Sequence, residues 1–134
     1  MKTIKIISFL LTVSMMTFVS CGNNEDNEDY RDSWIGTYVG QCSYHFSNGT
    51  DYQYDTVFPN ETLSVTKNEK NGLNVDFRGM TLSAQCTAEG VLTAHSTNPH
   101  SNYYGNFKGD SLFFEYSDVS QGNSSLLSFK GRKE

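Results

Sequence analysis

The chain has 134 residues, with ten Lys or Arg against fifteen Asp or Glu and a formal net charge of −5. No stripe of basic residues runs along it that could neutralise a phosphate backbone, which excludes a nucleic acid partner, and the length bounds it to one domain with one core. Eight Tyr, nine Phe and only two Pro, with abundant Thr and Ser, favour strands over helices.

Lys2 and Lys5 are the only charges among the first twenty residues. They precede an apolar run from Ile6 to Val19, broken only by Ser8, Thr12, Ser14 and Thr17. A basic head followed by an apolar stretch ending in a small residue is the layout of an export signal. The run of about fourteen residues is short for a helix that spans a bilayer. Phe18-Val19-Ser20-Cys21-Gly22 resembles the lipobox of bacterial lipoproteins, with Phe18 where a leucine is usual. The resemblance implies that residues 1–20 are removed and that Cys21 carries acyl chains, so that lipid tethers the protein to a membrane it does not span. Loss of Lys2 and Lys5 then leaves eight basic residues against fifteen acidic ones, net −7. Residues 22–32 hold five acids and almost nothing apolar, the composition of an extended, unfolded tether. Acids soon after the cysteine resemble the surface-export signal of some anaerobic Gram-negative bacteria. That implies an outer-membrane lipoprotein, with display on the cell surface and retention in the periplasm both open.

From Trp34 onward the pattern has period two. Trp34, Gly36, Tyr38, Gly40, Cys42, Tyr44 and Phe46 share one face of a long first strand. Ser47-Asn48-Gly49-Thr50-Asp51 is a hairpin signal, because Asn-Gly accepts positive φ. A second strand puts Tyr52, Tyr54, Thr56 and Phe58 on one face and ends at Pro59, which has no N–H for a ladder. Leu63 and Val65 alternate with Thr62, Ser64 and Thr66. After a turn at Asn68–Gly72, Leu73, Val75, Phe77 and Gly79 alternate with Asn74, Asp76 and Arg78, and Leu82, Ala84 and Cys86 follow. Glu89-Gly90 turns into a short strand at Val91–His95, and a polar loop runs from Ser96 to Asn102. Tyr103, Gly105 and Phe107, then Leu112, Phe114 and Tyr116, then Leu127, Phe129 and Gly131 complete the inward sets, with a turn at Gly109-Asp110 and a loop through Gly122. Eight or nine short strands at even spacing predict an all-β domain over residues 33–134, an antiparallel meander barrel of about eight strands or a β-sandwich.

Trp34-Ile35-Gly36-Thr37-Tyr38 resembles the opening of lipocalin and other calycin barrels, in which a tryptophan on the first strand plugs one end. Gly105-Asn106-Phe107-Lys108-Gly109-Asp110-Ser111-Leu112 and Phe129-Lys130-Gly131-Arg132-Lys133 resemble the closing strands of calycin-like bacterial lipoproteins. Asp32 stands where lipocalins carry a glycine, and the chain is shorter than most of them.

Assigning Cys21 to lipid leaves Cys42 and Cys86, an even pair that predicts a disulfide in an oxidising compartment, with two buried free thiols as the alternative. No Gly-x-Ser-x-Gly elbow, phosphate-binding glycine loop or Cys-x-x-Cys pair occurs. His45, His95 and His100 lack metal-ligand spacing, and Asp55, Asp76 and Glu115 fall on the outward face. The expectation is therefore a protein without catalytic residues, metal or cofactor. Tyrosines carry the ligand expectation, because an aromatic ring with a polar tip suits an amphipathic or saccharide molecule; the candidates are Tyr38, Tyr44, Tyr52, Tyr54, Tyr103 and Tyr116. Ile35, Val39, Phe113 and Leu126 on the outward face support a different reading, an accessory subunit that docks on another envelope protein. Asp55-Thr56-Val57 and Asp110-Ser111-Leu112 resemble the O-glycosylation motif of secreted proteins in the same bacterial group. That marks Ser111 and, facing inward, Thr56.

Overall fold

The computed structural model describes residues 28–94 and 98–134, so the expected export signal, Cys21, most of the expected tether and His95 lie outside the described residues. A short 3-10 turn at Tyr30–Ser33 leads into eight strands: β1 Gly36–Ser47, β2 Gln53–Lys67, β3 Leu73–Phe77, β4 Met80–Cys86, β5 Val91–Ala94, β6 Ser101–Lys108, β7 Ser111–Ser120 and β8 Asn123–Lys133. Each strand pairs antiparallel with the next, and β8 returns to pair with β1. The result is a closed eight-stranded meander barrel, not a sandwich. Closure pairs the first strand with the last, so neither end of the meander is left as a free edge strand.

The period-two pattern decides the interior, since alternate side chains point to opposite faces of a strand. Tyr38 and Cys42, Leu63 and Val65, Leu73, Val75 and Phe77, Leu92, Phe107, Leu112, Phe114 and Phe129 are all buried. Each such side chain contributes roughly 1.5–3 kcal/mol through the apolar surface it removes from water. Phe77 packs against Phe129 and Tyr103 against Phe114, at ring-centroid distances of 5.3 and 6.3 Å. The lower and middle lumen is filled. On β5, Leu92 opposite Cys86 and Ala94 opposite Ala84 form the inward face.

One end, here the lower, is closed by Trp34, which stacks on Phe107 at 5.1 Å and 11°. Its indole N–H is buried without a hydrogen-bond partner among the described residues. The Tyr38 hydroxyl donates to the Trp34 carbonyl at 2.9 Å. Folding begins earlier than the tether composition predicts. The Arg31 guanidinium grips both oxygens of Asp29 and donates to the carbonyls of Asn68 and Gly72 at 3.3 Å. Lys67 reaches Asp29 at 3.0 Å and Asp32 at 2.7 Å. Those acids are neutralised locally, and the bond from Arg31 holds the Asp29 carboxyl far below its usual range.

Three strand boundaries differ from expectation. β2 does not end at Pro59 but runs through it: Gly40 faces Glu61 and Cys42 faces Phe58, so Pro59 and Asn60 oppose Gln41 alone. This is a bulge, with Asn60 at φ 59°, and a proline is tolerated there because the extra residue leaves the ladder. Arg78 and Gly79, expected within a strand, form a two-residue turn, with Phe77 opposite Met80 and both turn residues at positive φ. Gln121 and Gly122 do the same, so β7 and β8 pair up to Ser120 and Asn123 where a loop was expected. The twist of such turns matches that of the flanking strands.

The expected disulfide is absent: Cys42 and Cys86 are both buried and unbonded. They sit on strands that are not neighbours, and at different heights. Cys86 lies at the level of the lower-end turn, its carbonyl accepting from the Tyr30 hydroxyl at 2.9 Å. Cys42 stands four residues above Tyr38 on β1, about 13 Å of strand, whereas a disulfide needs Cα atoms within about 7 Å.

Three outcomes follow from this packing. Gly40 lies against the backbone of β8, where a Cβ would come within 2.0 Å of the Lys130 oxygen; Gly40→Ala should lower stability by about 3 kcal/mol, read from the urea midpoint. Cys42 and Cys86 should both react with a thiol reagent once the chain is unfolded without reductant, and neither should react in the native state. Burial pushes the Cys86 thiol up from 9.0 to about 11 and the Tyr38 phenol up from 10.0 to about 12. Both are held neutral by folding, so the stability they contribute is complete below about pH 9 and is lost as pH rises through about 11–12. The thermal midpoint measured from pH 8 upward should fall in that window, and by less in Tyr38→Phe.

Candidate functional site

The upper end is open because its walls are uneven. β2 pairs with β3 only from Leu63 to Lys67, so its upper half, Gln53 to Thr62, leans on β1 alone. The long β1–β2 hairpin therefore stands above the short β3–β4 hairpin. A cavity of about 300 Å³ lies at this step, lined by Tyr44, Tyr54, Phe58, Arg78, Met80 and Leu127. That is the low end of the range for small-molecule sites.

Each lining residue has a local cause. Tyr44 and Leu127 are cross-strand partners on β1 and β8, and Phe58 faces Cys42 one inward level below. Tyr54 pairs with Phe46 and leans towards Tyr44 at a ring-centroid distance of 6.5 Å. The bulge at Pro59-Asn60 keeps Phe58 inward while Glu61, Leu63 and Val65 stay in phase below it. Arg78 occupies the tip of the β3–β4 turn in the left-handed region. From there its guanidinium carbon lies 4.0 Å from the centre of the Phe58 ring.

The Arg78 charge is only loosely matched: Nη1 is 3.9 Å from the Glu61 carboxylate, and the side chain is about one-third exposed. It therefore keeps N–H donors for an incoming group, and Phe58 supports the cation through its ring face. Beneath, burial raises the Cys42 thiol, with Arg78 opposing. A neutral thiol is not a nucleophile. Two phenols, an aromatic floor and one cation can bind a molecule that has a flat or apolar body and an anionic or hydroxyl-bearing end. They hold no acid–base pair.

The six expected tyrosines separate. Tyr44 and Tyr54 form the wall of the cavity. Tyr52 stands at the exposed rim, 6.3 Å from the Phe46 ring, and Tyr116 is half-buried on β7 opposite Leu127. Tyr38 and Tyr103 are corrections. Both are sealed in the core, and their hydroxyls are taken by the carbonyls of Trp34 and Ser83. Phe58 already lay on the inward face by alternation, but Arg78 and Met80 carried no sequence signal, because alternation placed Arg78 outward on a strand.

Elsewhere, His45 pairs with Asp55 at 2.6 Å on the outer surface. The His100 carbonyl accepts from the Val119 amide at 2.7 Å. Among the described residues no three His, Cys, Asp or Glu side chains converge as a metal set. Thr56 is half-buried on the inward face of β2, and Ser111 is half-buried and outward at the start of β7.

Neither a protein family nor a curated protein matches the sequence. Among solved structures, the chain is similar to the isotype 1 transferrin binding protein B from serogroup B Neisseria meningitidis, at 11% identity and a TM-score of 0.47. The similarity covers 75% of this chain and 25% of that one, so this chain spans about a quarter of that protein's length.

Proposed function

We propose that this chain is a lipid-anchored, calycin-like binding module of the bacterial outer membrane, non-catalytic, that captures a small amphipathic or saccharide-like ligand at the mouth of its barrel. One observation carries the reading: Tyr44, Tyr54, Phe58 and Arg78 converge on one open cavity, above the buried side chains of Cys42, Leu63, Phe77 and Phe129. A filled lumen confines the ligand to the mouth and to about 300 Å³, the scale of one or two rings. The lipobox-like Cys21 supports the anchor, and the acids that follow it support the outer-membrane address.

A second reading, an accessory subunit docking on an envelope protein, draws on the exposed Val57 and Leu126. They flank His45 and Ser43 on the outer faces of β2 and β8.

Native mass spectrometry of the full mature protein, taken from its own envelope without stripping, separates the two. A reproducible adduct of a few hundred daltons that leaves on denaturation is the expected result. Tyr54→Ala and Arg78→Gln should each lower its occupancy by about tenfold. A clean apo mass that persists after incubation with envelope extract would overturn the ligand reading in favour of docking.

A further inference from the structure

Charge is unevenly placed on this acidic protein. Lys108 near the end of β6 and Lys130 and Arg132 on β8 project outward. The register brings them onto one face, Lys108 beside Ser111, Ser111 beside Arg132, and Phe113 beside Lys130. Val39 on β1 completes it opposite Arg132. These residues line an open groove of about 660 Å³ on the lower outer wall. Arg31, Lys67 and Arg78 each have a carboxylate within 4 Å, whereas among the described residues Lys108, Lys130 and Arg132 have none. Asp110 borders the groove below and Glu115 above, and no acid lines it. At its centre is the half-exposed Phe113 ring, with the Lys130 ammonium 5.7 Å from the ring centre.

We propose that this face, with Lys108, Lys130 and Arg132 around Phe113, seats the barrel on an anionic membrane surface, the cations meeting lipid phosphates and the ring entering the headgroup layer. The position of the chain's start favours a membrane over other polyanions. Lys133, next to Arg132, donates to the Ser33 carbonyl at 3.2 Å, so the segment leading into β1 runs beside the groove. Cys21 lies nine residues before Tyr30, and even fully extended that stretch reaches only about 30 Å. An anchor on Cys21 thus keeps this end of the barrel near the bilayer, within range of a weak, multi-cation contact. Aromatic rings settle at the membrane–water interface, and each basic residue near an anionic surface adds about fivefold in binding. Seating this face leaves the mouth, at the other end of the barrel, clear of the lipid. The anchor argument rests on the lipoprotein reading, but the surface contact does not require it.

The whole core lies between Tyr38 and Phe129, so residues 22–134 carry the complete barrel without signal or lipid. That chain should sediment with vesicles of phosphatidylcholine containing about one-third phosphatidylglycerol, and not with phosphatidylcholine alone. Binding should vanish at about 0.5 M NaCl, where charges are screened within a few ångströms. Replacing Lys108, Lys130 and Arg132 together with Gln should weaken partitioning about a hundredfold, with an unchanged thermal midpoint because all three side chains are exposed. Phe113→Ala should weaken binding while leaving its salt dependence intact. Equal binding to both vesicles, or by the triple variant, would overturn the proposal, as would binding to soluble dextran sulfate without binding to vesicles. Arg78→Gln should leave partitioning unchanged, and the triple variant should keep any mouth adduct, so this test and the ligand reading fail separately.

Discussion

The seam between β1 and β8 is the constraint on which the other features depend. A meander of eight strands has two free edges until its last strand reaches its first. Here they join over a continuous register from Tyr38 opposite Lys133 to Ser47 opposite Ser124. The approach is close where Gly40 faces Gly131. A Cβ on Gly131 would strike the Phe129 ring at 2.5 Å and the Val39 carbonyl at 2.8 Å. Bare backbone at both positions lets the strands meet while Phe129 folds inward over the gap. Closure then turns eight half-buried strands into one interior, and the interior is narrow enough for aromatic side chains to fill.

Closure also distributes strand length unevenly around the wall. β1, β2, β7 and β8 have ten or more residues each, whereas β3 has five and β5 four. The barrel is tall on one side and low on the other, and the candidate site lies where the two heights meet. Its parts come from different structural causes. Alternation places Tyr44 and Leu127, a bulge keeps Phe58 in phase, and a left-handed turn swings Arg78 over that ring. The packed lumen below gives the site a rigid floor, which reduces the ordering cost of binding.

Charge follows the same geometry at the other end. The acids near the start of the barrel are consumed by Arg31 and Lys67, which fasten the 3-10 turn to the β2–β3 connection. Among the described residues Lys108, Lys130 and Arg132 have no such partners, and they share one wall with Phe113. A protein of net negative charge thereby acquires one cationic surface, beside the segment by which its chain enters the barrel.

The strands, their inward faces and the all-β class were legible because both depend on neighbours in the chain: alternation of Leu63 and Val65, or of Leu112 and Phe114, reports which face is buried whatever lies opposite. Asn48-Gly49 and Gly109-Asp110 marked turns for the same local reason. Tertiary structure decided what depends on register. Pro59 ended a strand by local logic, yet the bulge lets the ladder pass it. Arg78 alternated as an outward strand residue, but a turn between Phe77 and Met80 brought it to the mouth. Tyr38 and Tyr103 resembled Tyr44 and Tyr54 in sequence, and only their height in the barrel separated core from cavity wall. Two cysteines of suitable number were placed on strands that do not meet. Lys108 and Arg132, twenty-four positions apart in the sequence, became neighbours only when β6, β7 and β8 paired, because a sheet's surface is set by cross-strand distance and not by order along the chain.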